Sequence, residues 1–473
     1  MSAEEATATP LRVAEAPSGK KKGDGGAGGG RGGVRKQYIA AIAANLSAVA
    51  AGAVLGWSSP ALVRMPLNAE QQSWAGSLVA VGATLGPWAG GWATGRVGRR
   101  GALLWGALPY LLGWALLMGG LASFWLLLAA RVVLGVAVGV TFTALPMYVA
   151  EIAEASVRGA LGSLLQLEVS VGMLLIYVVG PYVTYHALAA VCVAVPAVFA
   201  AVFFTRPESP YFFLYQGNDE AAERALRAVR GDDEDISAEF SDMQEAVEDA
   251  KKNEASFRDL VSTRGNVRAL YLTLGLMTFQ QLSGINAMLF FGEAIFKMTG
   301  SSIDSSVSLI IVGFVMLAAS CTTPLLADRL GRRIMLIASA IGMCISQVVL
   351  AIYFQMASSG KDVSSLGWLP VTTFVMYIAV YPPGFGALPW AVMSELFPAN
   401  VKSVASSLSA SVCWFQCFLI TKFFADLVAA VGEAAPFFGF GACCVAAALF
   451  VYFLLPETKG RTLEEIQDIL NSR

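Results

Sequence analysis

The chain has 473 residues, of which 56% are hydrophobic and only 14% are charged, and its mean hydropathy is +0.62. This composition excludes an ordinary soluble domain, because apolar runs long enough to cross a lipid bilayer, about 20 residues each, recur from Tyr38 almost to the C-terminus. The formal net charge of -2 supplies no basic field, so nucleic acid is excluded as a partner.

In chain order, the sequence predicts an all-α membrane protein of twelve helices in two bundles of six. A disordered tail (1–36) without a signal-peptide core precedes the first half (37–204); a polar helical linker (205–266), the second half (267–455) and a short tail (456–473) follow. The spans are predicted at 38–63, 74–95, 101–120, 122–150, 159–180, 185–204, 267–291, 306–327, 334–355, 369–394, 403–430 and 434–455.

Charged residues alternate between the loops and thereby indicate the topology. Basic residues follow the second, fourth, eighth and tenth spans, whereas the loops between these positions carry few charges. Cytoplasmic loops of membrane proteins carry an excess of Lys and Arg. We therefore expect a multi-pass protein of the plasma membrane with both termini in the cytoplasm.

Three local patterns occur once in each half, in the same order. Arg96–Arg100 (RVGRR) pairs with 328–333 (DRLGRR), Glu151 with Arg158 pairs with Glu395 with Lys402, and 207–210 (PESP) pairs with 456–459 (PETK). Internal repeats of this kind are typical of transporters built from two related bundles.

With Gln280–Asn286 (QQLSGIN) and Pro456–Arg461 (PETKGR), these motifs identify the chain as resembling the sugar porter family of the major facilitator superfamily. The motifs at 56–60 (GWSSP) and 384–390 (GFGALPW) most resemble the facilitated trehalose transporters of insects. The resemblance implies sugar transport by alternating access. Departures from the glucose-carrier pattern near Met316, at Pro382 or Pro383 and at Cys413 favour a sugar other than glucose.

Neutral amides supply the donors and acceptors that sugar hydroxyls need, and an indole can stack on the apolar face of a sugar ring. The resemblance implies sugar contact for Gln166, Gln280, Gln281, Asn286 and Trp390. The alternative is that these amides only bond helices together. Because Gln280, Gln281 and Asn286 cannot all face one point on a straight helix, we expect a break or a broad cavity. For Trp414, packing and sugar stacking stay equally open.

A cluster of charges is predicted at the cytoplasmic span ends, where arginines can pair with carboxylates and with helix ends. We expect this cluster to latch the two halves, and simple positive-inside anchoring is the alternative. It comprises Arg96, Arg99, Glu151, Arg158, Glu208, Asp328, Arg329, Arg332, Arg333, Glu395, Lys402 and Glu457.

Proton coupling needs a titratable group inside the membrane. Proton-linked relatives carry an acid in the first span, where this chain has Ser58 or Ser59, which favours a uniporter. Glu168, in the fifth span, is the possible coupling residue, and a purely structural role is its alternative. Glucose or hexose uniport and proton-coupled symport therefore remain open beside trehalose uniport.

Other classes of protein receive less support from the sequence. The single His186 excludes a His-rich metal centre, the seven cysteines suggest neither a disulfide nor a metal site, and no cofactor is expected. Against a membrane hydrolase, the sequence shows no paired Asp residues that face each other across spans. Against a non-transporting sugar sensor, only about Pro456–Arg473 follows the last span, whereas sensors tend to need a long signalling tail. The oligomeric state is left open, and a monomer is sufficient for the predicted mechanism.

Overall fold

The computed structural model describes residues 31–120, 123–154, 156–231, 234–252, 257–299, 303–459, 461 and 463–472. Within these ranges the chain is helical and contains no strand. Most of the predicted N-terminal tail, 1–30, lies outside the described residues, whereas 31–36 belong to helix α1 and not to a disordered segment.

Seventeen α-helices are described, and short 3-10 or π turns join some of them. They are α1 (Arg31–Leu62), α2 (Ala69–Met118), α3 (Phe124–Ile152), α4 (Arg158–Val179), α5 (Tyr185–Phe203), α6 (Pro210–Tyr215), α7 (Asp219–Arg230), α8 (Ser237–Lys252), α9 (Arg264–Leu282), α10 (Ile285–Thr299), α11 (Ser305–Leu330), α12 (Arg332–Ser358), α13 (Leu369–Val380), α14 (Leu388–Leu396), α15 (Ala399–Val431), α16 (Ala434–Leu454) and α17 (Leu463–Ser472).

Ten described helical segments are long and apolar enough to cross a membrane. The predicted all-α membrane fold is confirmed, but the twelve spans are not reproduced one for one. Helix α2 contains the predicted second and third spans and is kinked at Gly98, leaving two arms that each have the ~20 residues needed for a crossing. The predicted seventh span is divided between α9 and α10.

The two ends of the bundle differ in that only one of them carries the linker helices. The linker end carries α6, α7 and α8, and there Gly33, at the start of α1, lies against the carbonyl of Arg230 in α7. The far end is the opposite one, where α1 ends and α2 begins. Among the described residues, the main contacts between the two halves are those of α1 with α10, α2 with α15 and α4 with α11.

Candidate functional site

A break in the predicted seventh span lies between α9 and α10. Gly284 has φ 83, a left-handed conformation that glycine adopts without steric cost. The Ser283 carbonyl accepts hydrogen bonds from the Tyr377 hydroxyl and the Gln347 side chain, both at 3.0 Å. Side chains of α12 and α13 thus satisfy a carbonyl at the break, as a membrane interior requires. The amide spacing predicted a break or a broad cavity, and a break is present.

The three amides of the QQLSGIN motif lie on both sides of this break and are bonded into one group. Asn286 Nδ2 donates to Gln281 Oε1 at 2.5 Å, and Gln281 Nε2 donates to Cys413 Sγ of α15 at 3.1 Å. Gln280 Nε2 donates to the Phe385 carbonyl at 2.5 Å, in the π turn Pro382–Gly386 before α14. The structure therefore joins α9, α10, α15 and the α13–α14 turn through neutral groups alone.

Two tryptophans are close in sequence to residues that bond to the amide group. Trp390 is half-buried in α14, four residues after the π turn that Gln280 contacts. Trp414 is buried, and its ring meets Phe142 of the first half edge-on, with the centroids 5.7 Å apart. Its indole Nε1 has no hydrogen-bond partner within the described part of the chain. Trp414 therefore packs between the halves while keeping a free donor.

Gln166 and Glu168 are both half-buried in α4. One turn further on, Ser170 Oγ lies 3.0 Å from Ser320 Oγ of α11, so this part of α4 lines the contact between the halves. Among the described residues, no ion pair reaches the Glu168 carboxylate. The structure does not bring Gln166 into bonded contact with the amides of α9 and α10.

Arg131 is fully buried in α3 and bonded to neutral groups. Its guanidinium donates to the carbonyl of Ala75 at 2.8 Å, to the carbonyl of Val54 at 3.2 Å and to Ser58 Oγ at 2.6 Å. It also lies over the Trp57 ring, 5.0 Å from the centroid. In the first span, where proton-linked relatives carry an acid, the sequence offered Ser58 and Ser59 as alternatives. Of these two, Ser58 is the one that bonds to Arg131.

The charges of the first half form one network at the linker end. Arg99 Nε pairs with a Glu151 oxygen at 2.9 Å, and Ser209 Oγ donates to the same carboxylate. The Glu208 carboxylate accepts from the backbone N–H groups of Arg99 and Arg100, both at 2.9 Å, directly after the kink at Gly98. Glu208 therefore caps the helix arm that begins there, which satisfies N–H groups that a helix start leaves unpaired.

The second half repeats this arrangement. Arg332 Nη2 pairs with Glu395 at 3.0 Å, and Thr458 Oγ1 donates to Glu395 at 2.5 Å. The Glu457 carboxylate accepts from the backbone N–H of Arg332 at 3.0 Å, directly after Gly331, whose φ is 87. The repeated sequence patterns are thus repeated as structure.

The two networks lie each within its own half, so among the described contacts the predicted latch appears as two separate clusters. The glutamates are held by helix ends of their own half, which the sequence spacing alone did not indicate. The side chain of Asp328 lies outside the described residues. Arg96 lies over the Trp92 ring, and Arg333 lies over the Tyr452 ring. The Arg158 side chain donates to the Ala153 carbonyl, and the Arg329 carbonyl accepts from the Lys459 ammonium. Lys402 is exposed.

Sequence reasoning missed a charged contact at the far end. Glu293 of α10 is fully buried and pairs with Arg64, which follows α1, at 2.8 Å. An acid inside an apolar run is a signal that a sequence can give, because such residues are rarely tolerated in a membrane without a function.

Comparison with known proteins decides the family. The family described as "Sugar (and other) transporter" matches residues 36–470. This chain belongs to that sugar transporter family. The resemblance seen in the motifs is thereby confirmed, and membership of a transporter family decides against the membrane-enzyme alternative.

Named relatives of this sugar transporter family member include facilitated trehalose transporters of insects. The protein of Polypedilum vanderplanki is 36% identical over 91% of this chain and 87% of its own length. The proteins of Drosophila yakuba and Anopheles gambiae are 37% and 35% identical over 91% of this chain, but the match covers 51% and 55% of their lengths. The chain thus spans about half the length of these two relatives.

Solved structures of the major facilitator superfamily share the fold. The proton:xylose symporter XylE bound to 6-bromo-6-deoxy-D-glucose superposes with a TM-score of 0.77, at 23% identity, over 92% of this chain and 99% of that one. The inward-open form of the xylose transporter XylE from E. coli gives a TM-score of 0.73 at 22% identity, over 92% of this chain and 98% of that one. The major facilitator fold is therefore confirmed for this multi-pass membrane protein.

Proposed function

We propose that this protein is a facilitative transporter that carries trehalose across the plasma membrane by alternating access. The observation that carries the proposal is the group of neutral amides at the break between α9 and α10. The relatives that are named facilitated trehalose transporters support the choice of sugar.

The sugar binds beside the helix break. Gln280, Gln281 and Asn286 offer both donors and acceptors there, and sugar hydroxyls replace the bonds that these amides now make to one another and to Cys413. Gln166 contributes from the first half, and Trp390 stacks on the apolar face of the sugar ring. Because binding draws on both halves, it links sugar occupancy to their relative movement.

Transport is not coupled to protons. Arg131 is bonded to Ser58 and to two backbone carbonyls, and no carboxylate among the described residues forms an ion pair with it. Glu168 is then a structural residue of α4. Proton-coupled symport is the alternative at this site, and glucose or hexose uniport is the alternative for the substrate.

The chain is organised as two bundles, 37–204 and 267–455, joined by the linker 205–266, with tails at 1–36 and 456–473. The matching networks around Glu151 and Glu395 support this division. The linker end faces the cytoplasm because the basic residues gather there. Both termini are then cytoplasmic, and a monomer suffices for transport.

Uptake of labelled trehalose by vesicles that contain the full chain tests the substrate and the coupling together. We expect saturable uptake that unlabelled trehalose inhibits more strongly than glucose does, at the same rate with and without an imposed pH gradient. Glucose uptake alone would contradict the choice of sugar, accumulation driven by the pH gradient would contradict uniport, and binding without uptake would indicate a sensor.

A further inference from the structure

The contacts at the far end hold the two halves together through α10. The side chain of Glu293 is 0% exposed, and its carboxylate lies 2.8 Å from Arg64 Nη1, which belongs to the first half. Arg64 also donates to Ser306 Oγ of α11 at 3.1 Å. Of the two cations beside this carboxylate, Arg64 is the nearer, and Lys297 belongs to α10 itself, so only the Arg64 ion pair joins the two halves.

The first half also holds the backbone of α10 where that helix is bent. Phe291 has non-helical dihedral angles, φ −116 and ψ 16. The N–H of Glu293 donates to Ser59 Oγ at 3.0 Å, and the carbonyl of Leu289, four residues earlier, accepts from the Tyr177 hydroxyl at 3.3 Å. In a regular helix these two groups bond to each other. First-half side chains therefore contact α10 on both sides of its bend.

A second contact closes the same end. Ser73 Oγ, near the start of α2, donates to the carbonyl of Lys422 in α15, and the Lys422 ammonium lies 4.8 Å from the centre of the Trp74 ring. Ser73 is 1% exposed. The two halves therefore meet at the far end through two separate buried contacts, and movement of the halves apart at that end requires both to separate.

We propose that the Arg64–Glu293 ion pair is the latch of the far-end gate, and that it breaks and re-forms in each transport cycle. This inference rests on the proposed function, transport by alternating access. Arg64 is 34% exposed and Glu293 is buried, so opening hydrates both charges and offsets the lost pair. An ion pair can therefore hold the gate closed without making opening prohibitively slow.

Lys297 provides a matched control. Its ammonium is 3.5 Å from the same Glu293 carboxylate, but it lies one turn further along α10 and is 49% exposed. Removing Lys297 takes away a neighbouring cation without removing a contact between the halves. A latch between halves therefore depends on Arg64 and not on Lys297.

The test measures how fast the far end opens. Ser73→Cys places a thiol in the sealed contact of the full chain, and a membrane-impermeant maleimide is applied to vesicles. In this background we expect Arg64→Ala to speed labelling about fivefold or more. We expect Glu293→Gln, which keeps the side-chain size, to speed it to a smaller extent, and Lys297→Gln to leave it unchanged. The chain with its native Ser73 gives the background labelling.

The double variant Arg64→Ala/Glu293→Gln distinguishes a latch from general loosening. Removing both charges leaves no buried carboxylate that has lost its partner in the other half, so labelling should be slower than with Arg64→Ala alone. Labelling unchanged by both single variants, equal acceleration by Lys297→Gln, or independent effects in the double variant would overturn the latch. Labelling requires no sugar, so a failure to transport trehalose would contradict the proposed function and leave this result standing.

Discussion

At the level of single residues, Asn286 has the clearest position for a sugar ligand. It is half-buried and bonds to Gln281 across the helix break, so its amide can exchange that bond for a sugar hydroxyl. We expect Asn286→Ala to raise the KM for trehalose about tenfold, because one to two hydrogen bonds contribute roughly 1–2 kcal/mol. Initial uptake rates over a range of trehalose concentrations measure this.

Gln416 offers the control for the alternative that these amides only join helices. Its side chain donates to Thr278 Oγ1 at 2.8 Å. This bond also joins two helices, α15 and α9, but it involves none of the three amides of the QQLSGIN motif. Gln416→Ala should leave the KM unchanged. If both variants raised KM alike, or if Asn286→Ala lowered only the amount of folded protein, the role of Asn286 would be structural.

Glu168 tests the coupling mechanism. Because no described ion pair reaches its carboxylate and Arg131 is bonded to Ser58, we expect Glu168→Gln to change neither the final level of trehalose nor its independence of an imposed pH gradient. Uptake at two external pH values checks this. If the unsubstituted chain accumulated trehalose and Glu168→Gln abolished accumulation while exchange persisted, the residue would couple protons.

The sequence located the residues of the amide group but not all their partners. The composition of QQLSGIN predicted the polar group, and its angular spacing predicted a break or a broad cavity. Cys413 entered only as a departure from a family pattern, although it bonds to Gln281 from 132 positions away. Pairings between residues so distant in sequence are set by helix packing, which a single sequence does not contain.

At the level of helices, the break between α9 and α10 depends on Gly284. A Cβ atom there would lie 2.4 Å from the Phe440 side chain, and the positive φ disfavours any residue with a Cβ. We expect Gly284→Ala to destabilise the folded protein by about 1–3 kcal/mol, seen as a lower unfolding temperature in detergent.

Gly439→Ala is the comparison for that measurement, since nothing lies within 4 Å of the corresponding Cβ and the backbone there is helical. An unfolding temperature that Gly284→Ala did not lower, or lowered no more than Gly439→Ala, would contradict the role assigned to the break.

The charge networks at the linker end join helices within each half. Glu395 accepts from Arg332 and Thr458 at once, joining α14, α12 and the segment after α16. We expect Glu395→Gln to lower trehalose transport severalfold, because a neutral amide pairs more weakly with arginine. Uptake per molecule at the cell surface measures this. Equal loss of surface protein and uptake would instead assign Glu395 to folding.

The sequence predicted most helices well and misplaced some ends. Long apolar runs bounded by charges, such as the predicted 122–150 and 434–455, coincide closely with α3 and α16. The predicted loop between the second and third spans is reduced to the kink at Gly98, because Glu208 caps the next turn immediately. The cap comes from a residue 109 positions away from Arg99 and so could not be read locally.

At the level of the whole molecule, the repeats in the sequence predicted two related halves, and the paired networks of Arg99 with Glu151 and Arg332 with Glu395 support that organisation. The described contacts between halves lie elsewhere: at the far end around Glu293, along α2 and α15, and between α4 and α11. Which surfaces of two bundles meet depends on the conformation within the transport cycle, so a sequence cannot specify it.

Flux through the purified full chain in proteoliposomes tests the central claim most directly. Labelled trehalose is added outside, and its internal concentration is followed first with no ion gradient and then under an imposed pH gradient. We expect saturable entry that is faster than in protein-free liposomes and stops when the internal concentration equals the external one. Entry no faster than in protein-free liposomes, or a final level above the external concentration under a pH gradient, would contradict it.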